Sequence, residues 1–220
     1  MTHFEYIAVA VSIILGLGVI QLLSSLDRVL ARPSRYWLHS AWVLTLFWIQ
    51  VLNWWAFWDL KNIAWNLGYF SFWITYVSAI YLMVLALTKT DSAVVSWEDV
   101  YFSRARQFFG LFGFVVILAI LLTWIMLDAA LLHPYRYVQY SLLVILAILF
   151  ASRQKRLHEV LSILFMTILI VSQVVFRLQP GLFEKSLKRN VVLTFLNDRL
   201  WPLADRHESP NADVRAAGLG

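Results

Sequence analysis

Residues 12–26 read SIILGLGVIQLLSSL and lie inside a longer apolar run, Tyr6–Leu26. About 20 mostly apolar residues is the length that crosses a bilayer as a helix. The same stretch holds Gly16 and Gly18, then Gln21, then Ser24 and Ser25. Glycine weakens a helix in water, and an amide in hydrocarbon needs a partner. In a bilayer both have a use. Small residues let helix backbones approach closely, and polar side chains bond across helices. The stretch therefore predicts a packed transmembrane helix.

The rest of the chain agrees. Of its 220 residues 61% are hydrophobic and only 14% are charged, against about 25% charged in an ordinary soluble domain. A core of this size cannot hide that much apolar surface from water. There is no cysteine, so disulfides, thiolate metal sites, Fe–S clusters and thiol nucleophiles are absent. The formal charge is +5. Its carriers sit between apolar runs, which points to membrane orientation and anionic lipid and away from nucleic acid.

Six runs have spanning character: Tyr6–Leu26, Tyr36–Trp58, Gly68–Thr88, Phe108–Asp128, Tyr135–Ala151 and Val160–Leu178, the fifth being short. They are continuously apolar, which argues for helices and against the alternating strands of a barrel. The first flank, MTHFE, has no Lys or Arg, so this run reads as a retained span and not a cleaved leader. The expected architecture is an all-α bundle of six transmembrane helices over residues 1–178. An amphipathic juxtamembrane helix is expected over 179–203, where Phe183, Leu187, Val191 and Phe195 recur every four residues. A disordered tail is expected over 204–220.

Basic residues orient the bundle. Arg28, Arg32, Arg35, Lys89, Arg104, Arg106, Arg153, Lys155 and Arg156 fall in alternate loops, and Lys61 and Arg136 fall in the others. The richer side is expected to be cytoplasmic, with both termini outside. The opening span and its basic loop look like those of small bacterial inner-membrane proteins, a likeness that carries no activity.

Several groups are candidates for function. Ala8, Ser12 and Gly16 are spaced by four and form a small-residue stripe for helix packing. Gln21, Ser24, Ser25 and Arg28 form a polar face on the basic third of the same helix, and Gln50 and Asn53 share a face of the second span. No Asp, Glu, Lys or Arg lies near the middle of any run, which argues against proton pumps and voltage sensors. His39 and His158 begin the second and sixth runs on the same side. Two such imidazoles can ligate one haem b. His158-Glu159 lacks the second histidine of a zinc-protease helix, since Ser162 stands there. No metal and no catalytic residues are expected.

The leading expectation is a non-enzymatic membrane protein: an oligomeric or accessory subunit of a membrane complex that binds lipid or a small solute. Its partners would be copies of itself or other membrane subunits, with no nucleic acid. One alternative is a channel or facilitator whose pore is lined by Gln21, Ser25, Gln50 and Asn53. Another is a haem-binding redox protein using His39 and His158.

Overall fold

The computed structural model describes residues 3–30, 35–89, 96–127 and 134–176. Every regular element among them is helical: α1 (His3–Leu30), α2 (Trp37–Phe57), α3 (Leu67–Thr88), α4 (Trp97–Leu127), α5 (Pro134–Ala151) and α6 (Lys155–Phe176). A single 3₁₀ turn, Trp58–Leu60, follows α2. The expected surface helix and tail, together with Arg32 and Asp128, lie outside the described residues. The chain divides into two units, Met1–Ile170 and Val171–Gly220. Of the second unit only the end of α6 is described.

Four helices are long and apolar enough to cross a membrane by length and composition: α1, α3, Trp97–Met126 of α4 and Lys155–Val174 of α6. The described part of the chain is thus all-helical, with the character of a membrane protein. Six spans were expected, and α2 and α5 fall short of that measure. α5 is brief. α2 has 21 residues, but His39, Gln50, Asn53 and its indoles dilute its hydropathy. Those polar residues point inward. Leu38, His39, Trp42, Val43, Leu46, Ile49, Gln50, Asn53 and Phe57 are all buried, a spacing of three and four that marks one face of a helix.

Local signals set the ends. Asn66 caps α3, its side chain accepting the Tyr69 N–H at 2.9 Å. Pro134 opens α5, where a missing N–H costs nothing. α4 begins at Trp97, well ahead of the apolar run at Phe108. Ser96-Trp97-Glu98-Asp99 explains this. The Ser96 hydroxyl accepts the Asp99 N–H at 3.4 Å, and the two carboxylates favour the positive end of the helix dipole. Half of what reads as a solvated loop is therefore helix. Glu98 pairs with Lys155 of α6 at 2.7 Å, and not with the basic residues nearer in sequence.

Within the first unit, α1 packs on α2 and α3, α3 on α4, and α4 on α5. The buried face of α1 is Ile7, Val11, Leu15, Gly18, Leu22, Ser25 and Val29, a repeat close to seven that suits long helix–helix contact. Trp42 sits at the centre. It is fully buried, with the rings of Phe108, Phe109, Phe112 and Phe165 between 5.1 and 5.8 Å from its own. Its indole N–H donates to the Ser162 hydroxyl at 3.1 Å. The opposite surfaces are apolar too: Val9, Ile13, Leu17 and Ile20 of α1 and Val160, Ile163 and Leu164 of α6 are exposed. In water such patches are rare on a monomer. In hydrocarbon they are the proper outer wall.

Trp42→Ala is expected to cost about 3–5 kcal/mol of stability, by cavity formation. Trp42→Phe should cost about 1 kcal/mol, chiefly the hydrogen bond to Ser162. Thermal unfolding of the full chain in mild detergent measures both. Equal losses from the two variants would count against this division of the energy.

Candidate functional site

Polar side chains inside the first unit are arranged along two lines. One runs between α1, α2 and α3. Ser12 accepts the Trp54 indole N–H at 3.1 Å. The Tyr76 hydroxyl donates to Asn53 Oδ1 at 2.8 Å, while Asn53 Nδ2 donates to the Ile49 carbonyl at 2.8 Å. Gln21 Nε2 donates to the buried Thr88 hydroxyl at 3.2 Å. Ser24 and Ser25 return their hydroxyls to the carbonyls of Gln21 and Leu22. Arg28 is exposed, and its carbonyl accepts the Trp97 indole N–H at 2.9 Å.

Gln50 lies within this line and breaks its pattern. The residue is 0% exposed, and neither amide atom has a hydrogen-bond partner. Its amide faces Gly18. A Cβ built on Gly18 would stand 2.2 Å from Gln50 Nε2 and 3.2 Å from its Cδ. Such distances lie well inside van der Waals contact, so a side chain at position 18 requires the Gln50 amide to move. Gly16 is different, with nothing within 4 Å of the same construction. Ala8, Ser12 and Gly16 are half-buried and flank the buried face of α1. The close approach of backbone to a neighbour inside this chain is at Gly18, one place in the glycine pair that the four-residue spacing passes over.

The second line joins α2, α4 and α6 at their basic ends. The Tyr101 hydroxyl meets His158 Nδ1 at 3.0 Å, and His158 Nε2 meets the Ser152 carbonyl at 3.1 Å. A neutral ring protonated at Nε2 satisfies both contacts, accepting from the phenol and donating to the carbonyl. His39 is 0% exposed. Its ring lies 4.6 Å from that of Trp97 and 6.4 Å from that of Tyr101, and neither nitrogen has a hydrogen-bond partner. Lys155 reaches over the Tyr36 ring at 5.4 Å while paired to Glu98.

The two histidines are thus brought into one aromatic cluster, since both pack against Tyr101. They do not fit a haem held by two imidazoles. Both nitrogens of His158 are engaged in hydrogen bonds, and iron ligation requires a free lone pair on each ring. Among the described residues no group of three or more His, Asp or Glu is placed to hold a metal ion. Of the sequence candidates, Gln21, Ser25, Gln50 and Asn53 share the first line, and Ser24 and Arg28 lie toward solvent at its basic end.

Tyr76, Thr88, Trp97 and Tyr101 supply partners that the sequence reading does not single out. Tyr76 carries a signal: a tyrosine inside an apolar run must satisfy its hydroxyl there. Trp97 and Tyr101 are hidden by the polar loop around them.

No family model, no curated protein and no solved structure matches this chain.

Gly18→Ala is expected to lower stability by about 1 kcal/mol, because the added methyl displaces the buried Gln50 amide. Gly16→Ala should leave it unchanged or slightly raised. Gln50→Ala should remove the penalty of Gly18→Ala, and a double-mutant cycle on melting in detergent reads the coupling. Additive effects would separate the two residues. Tyr101→Phe should cost about 1–3 kcal/mol by orphaning a buried imidazole nitrogen, with His158→Phe cancelling most of that loss in the double variant. A full loss that persists in the double variant would contradict the bond.

Proposed function

We propose that this chain is a non-enzymatic six-span membrane protein that works as an oligomeric or accessory subunit of a membrane complex. The observation that supports this is how the polar groups are spent. Ser12 with Trp54, Gln21 with Thr88, Trp42 with Ser162, Asn53 with Tyr76 and Tyr101 with His158 bond helix to helix. Such bonds assemble a scaffold. The hydroxyl that lies on an imidazole, Tyr101 on His158, is itself buried within this scaffold and serves it as a helix-to-helix bond. Function then belongs to the outer surface.

One edge of that surface suits a second helix. Ala8, Ser12 and Gly16 border the exposed Val9, Ile13, Leu17 and Ile20, and the space beside Gly16 is open. In this reading the basic end of the bundle faces the cytoplasm and the N-terminus lies outside. Exposed Arg28, Arg35, Lys89, Arg106, Arg153, Lys155 and Arg156 mark that end, against Lys61 at the other. A bacterial inner membrane is the proposed location, with lipid and like subunits as the partners.

A second reading, a channel or facilitator for uncharged solutes through Gln21, Ser25, Gln50 and Asn53, is favoured by one observation, the unpartnered Gln50 amide.

Crosslinking in native membranes, followed by mass measurement in mild detergent, tests the leading reading. The expected result is a discrete oligomer that Gly16→Ile reduces to single chains with their helical content intact. A wild-type monomer with no membrane companion, or an assembly indifferent to Gly16→Ile, would overturn it.

A further inference from the structure

The amide of Gln50 lies along the α1–α2–α3 line with neither of its atoms hydrogen-bonded. It sits seven residues before the end of α2, and in the six-span reading that is inside hydrocarbon, where lipid offers no partner. It lies against Gly18 of the neighbouring helix, where an added side chain would displace it. A desolvated amide against a glycine, with leucine-like packing available to evolution at no polar cost, signals a partner that comes and goes.

The surroundings of Gln50 are not symmetric. Toward the aromatic end the line is closed. Asn53 is held by Tyr76 and Ile49, and Trp54 by Ser12. Beyond them the rings of Phe4, Phe57, Trp65 and Trp73 pack on one another. Toward the basic end, Gly18, Gln21, Ser25 and Arg28 follow at intervals of three and four on one face of α1, ending at an exposed arginine. Gln21 is only half-buried, and its bond to Thr88 is a single contact at 3.2 Å.

We propose that the Gly18–Gln50 contact is a binding point for a small uncharged molecule carrying both a hydrogen-bond donor and an acceptor, of which water is the smallest, and that it is reached from the basic end alone. A primary amide presents one such pair, N–H and C=O side by side. A molecule entering along Gln21 and Ser25 exchanges hydrogen bonds at each step. At the aromatic end Asn53 and Trp54 are already engaged and the rings beyond them are packed on one another, so the site is a one-sided vestibule and not a through pore. This rests on the membrane-spanning reading.

The absence of cysteine makes the test direct, because each introduced thiol is unique. Full-length Gln50→Cys, Gln21→Cys and Val11→Cys are reacted in sealed vesicles of both orientations with a small, membrane-impermeant methanethiosulfonate. Lys61→Cys and Arg153→Cys report the two sides. Gln50→Cys should react from the Arg153 side, at about 0.1–10% of the Arg153→Cys rate if an open minor state admits the reagent. Gln21→Cys should react faster from the same side, and Val11→Cys not at all. Slowing of Gln21→Cys, which keeps the Gln50 amide, by added acetamide assigns the site to small amide-like solutes. No slowing assigns it to water. Reaction from the Lys61 side, from both sides, or at the Val11→Cys background would overturn the proposal. Labelling of Lys61→Cys and Arg153→Cys from the same side would instead overturn the spanning reading itself.

Discussion

A hydrogen bond between two helices in hydrocarbon has no competitor. Water is not there to replace a lost partner, so a polar side chain inside the bundle either finds one or stays unpaired. The interior of this protein follows that constraint from end to end. Trp42 donates to Ser162, Tyr76 to Asn53 and Gln21 to Thr88. Each bond joins elements distant in the chain, and together they set helix rotation more narrowly than apolar packing can. Apolar side chains are interchangeable against lipid, whereas a hydroxyl has to face its acceptor.

α2 carries most of this burden. It is the helix with the least clear spanning composition, and it is the one with most polar business inside. Its buried face meets α1 at Gly18, α3 at Tyr76, α4 at Trp97 and the phenylalanines, and α6 at Ser162 and Phe165. The two properties have one cause. A helix surrounded by others can exchange hydropathy for hydrogen bonds, because its partners and not the lipid solvate it. The outer helices α1 and α6 keep apolar residues on the side away from the bundle.

The two ends of the first unit differ in chemistry. One is basic and tied by Lys155 with Glu98, Tyr101 with His158, and Trp97 with the Arg28 carbonyl. The other is built from stacked rings, Phe4 on Phe57 and Phe57 beside Trp73. At that other end Arg136 is buried and donates to Thr123 and Gln139. A cation sunk near a helix start keeps hydrogen-bond acceptors around it here, as a buried charge requires.

The sequence by itself determined the solvent, the helical class and the charged and aromatic ends. These depend on composition and run length, which are additive along the chain. Its periodicity also placed Gln21, Gln50 and Asn53 as inward residues. It did not distinguish Gly18 from Gly16, since two glycines one residue apart look alike until a neighbour's amide stands against one of them. It did not reveal that Trp97 and Tyr101 are core, because a capping serine and two acids disguise a helix start as a loop. Which histidine is bonded and which is bare could not be read either. His158 and His39 sit at equivalent helix starts, and only the arrival of Tyr101 and the Ser152 carbonyl tells them apart. Pairing is a property of three-dimensional neighbours, and tertiary structure alone chooses those.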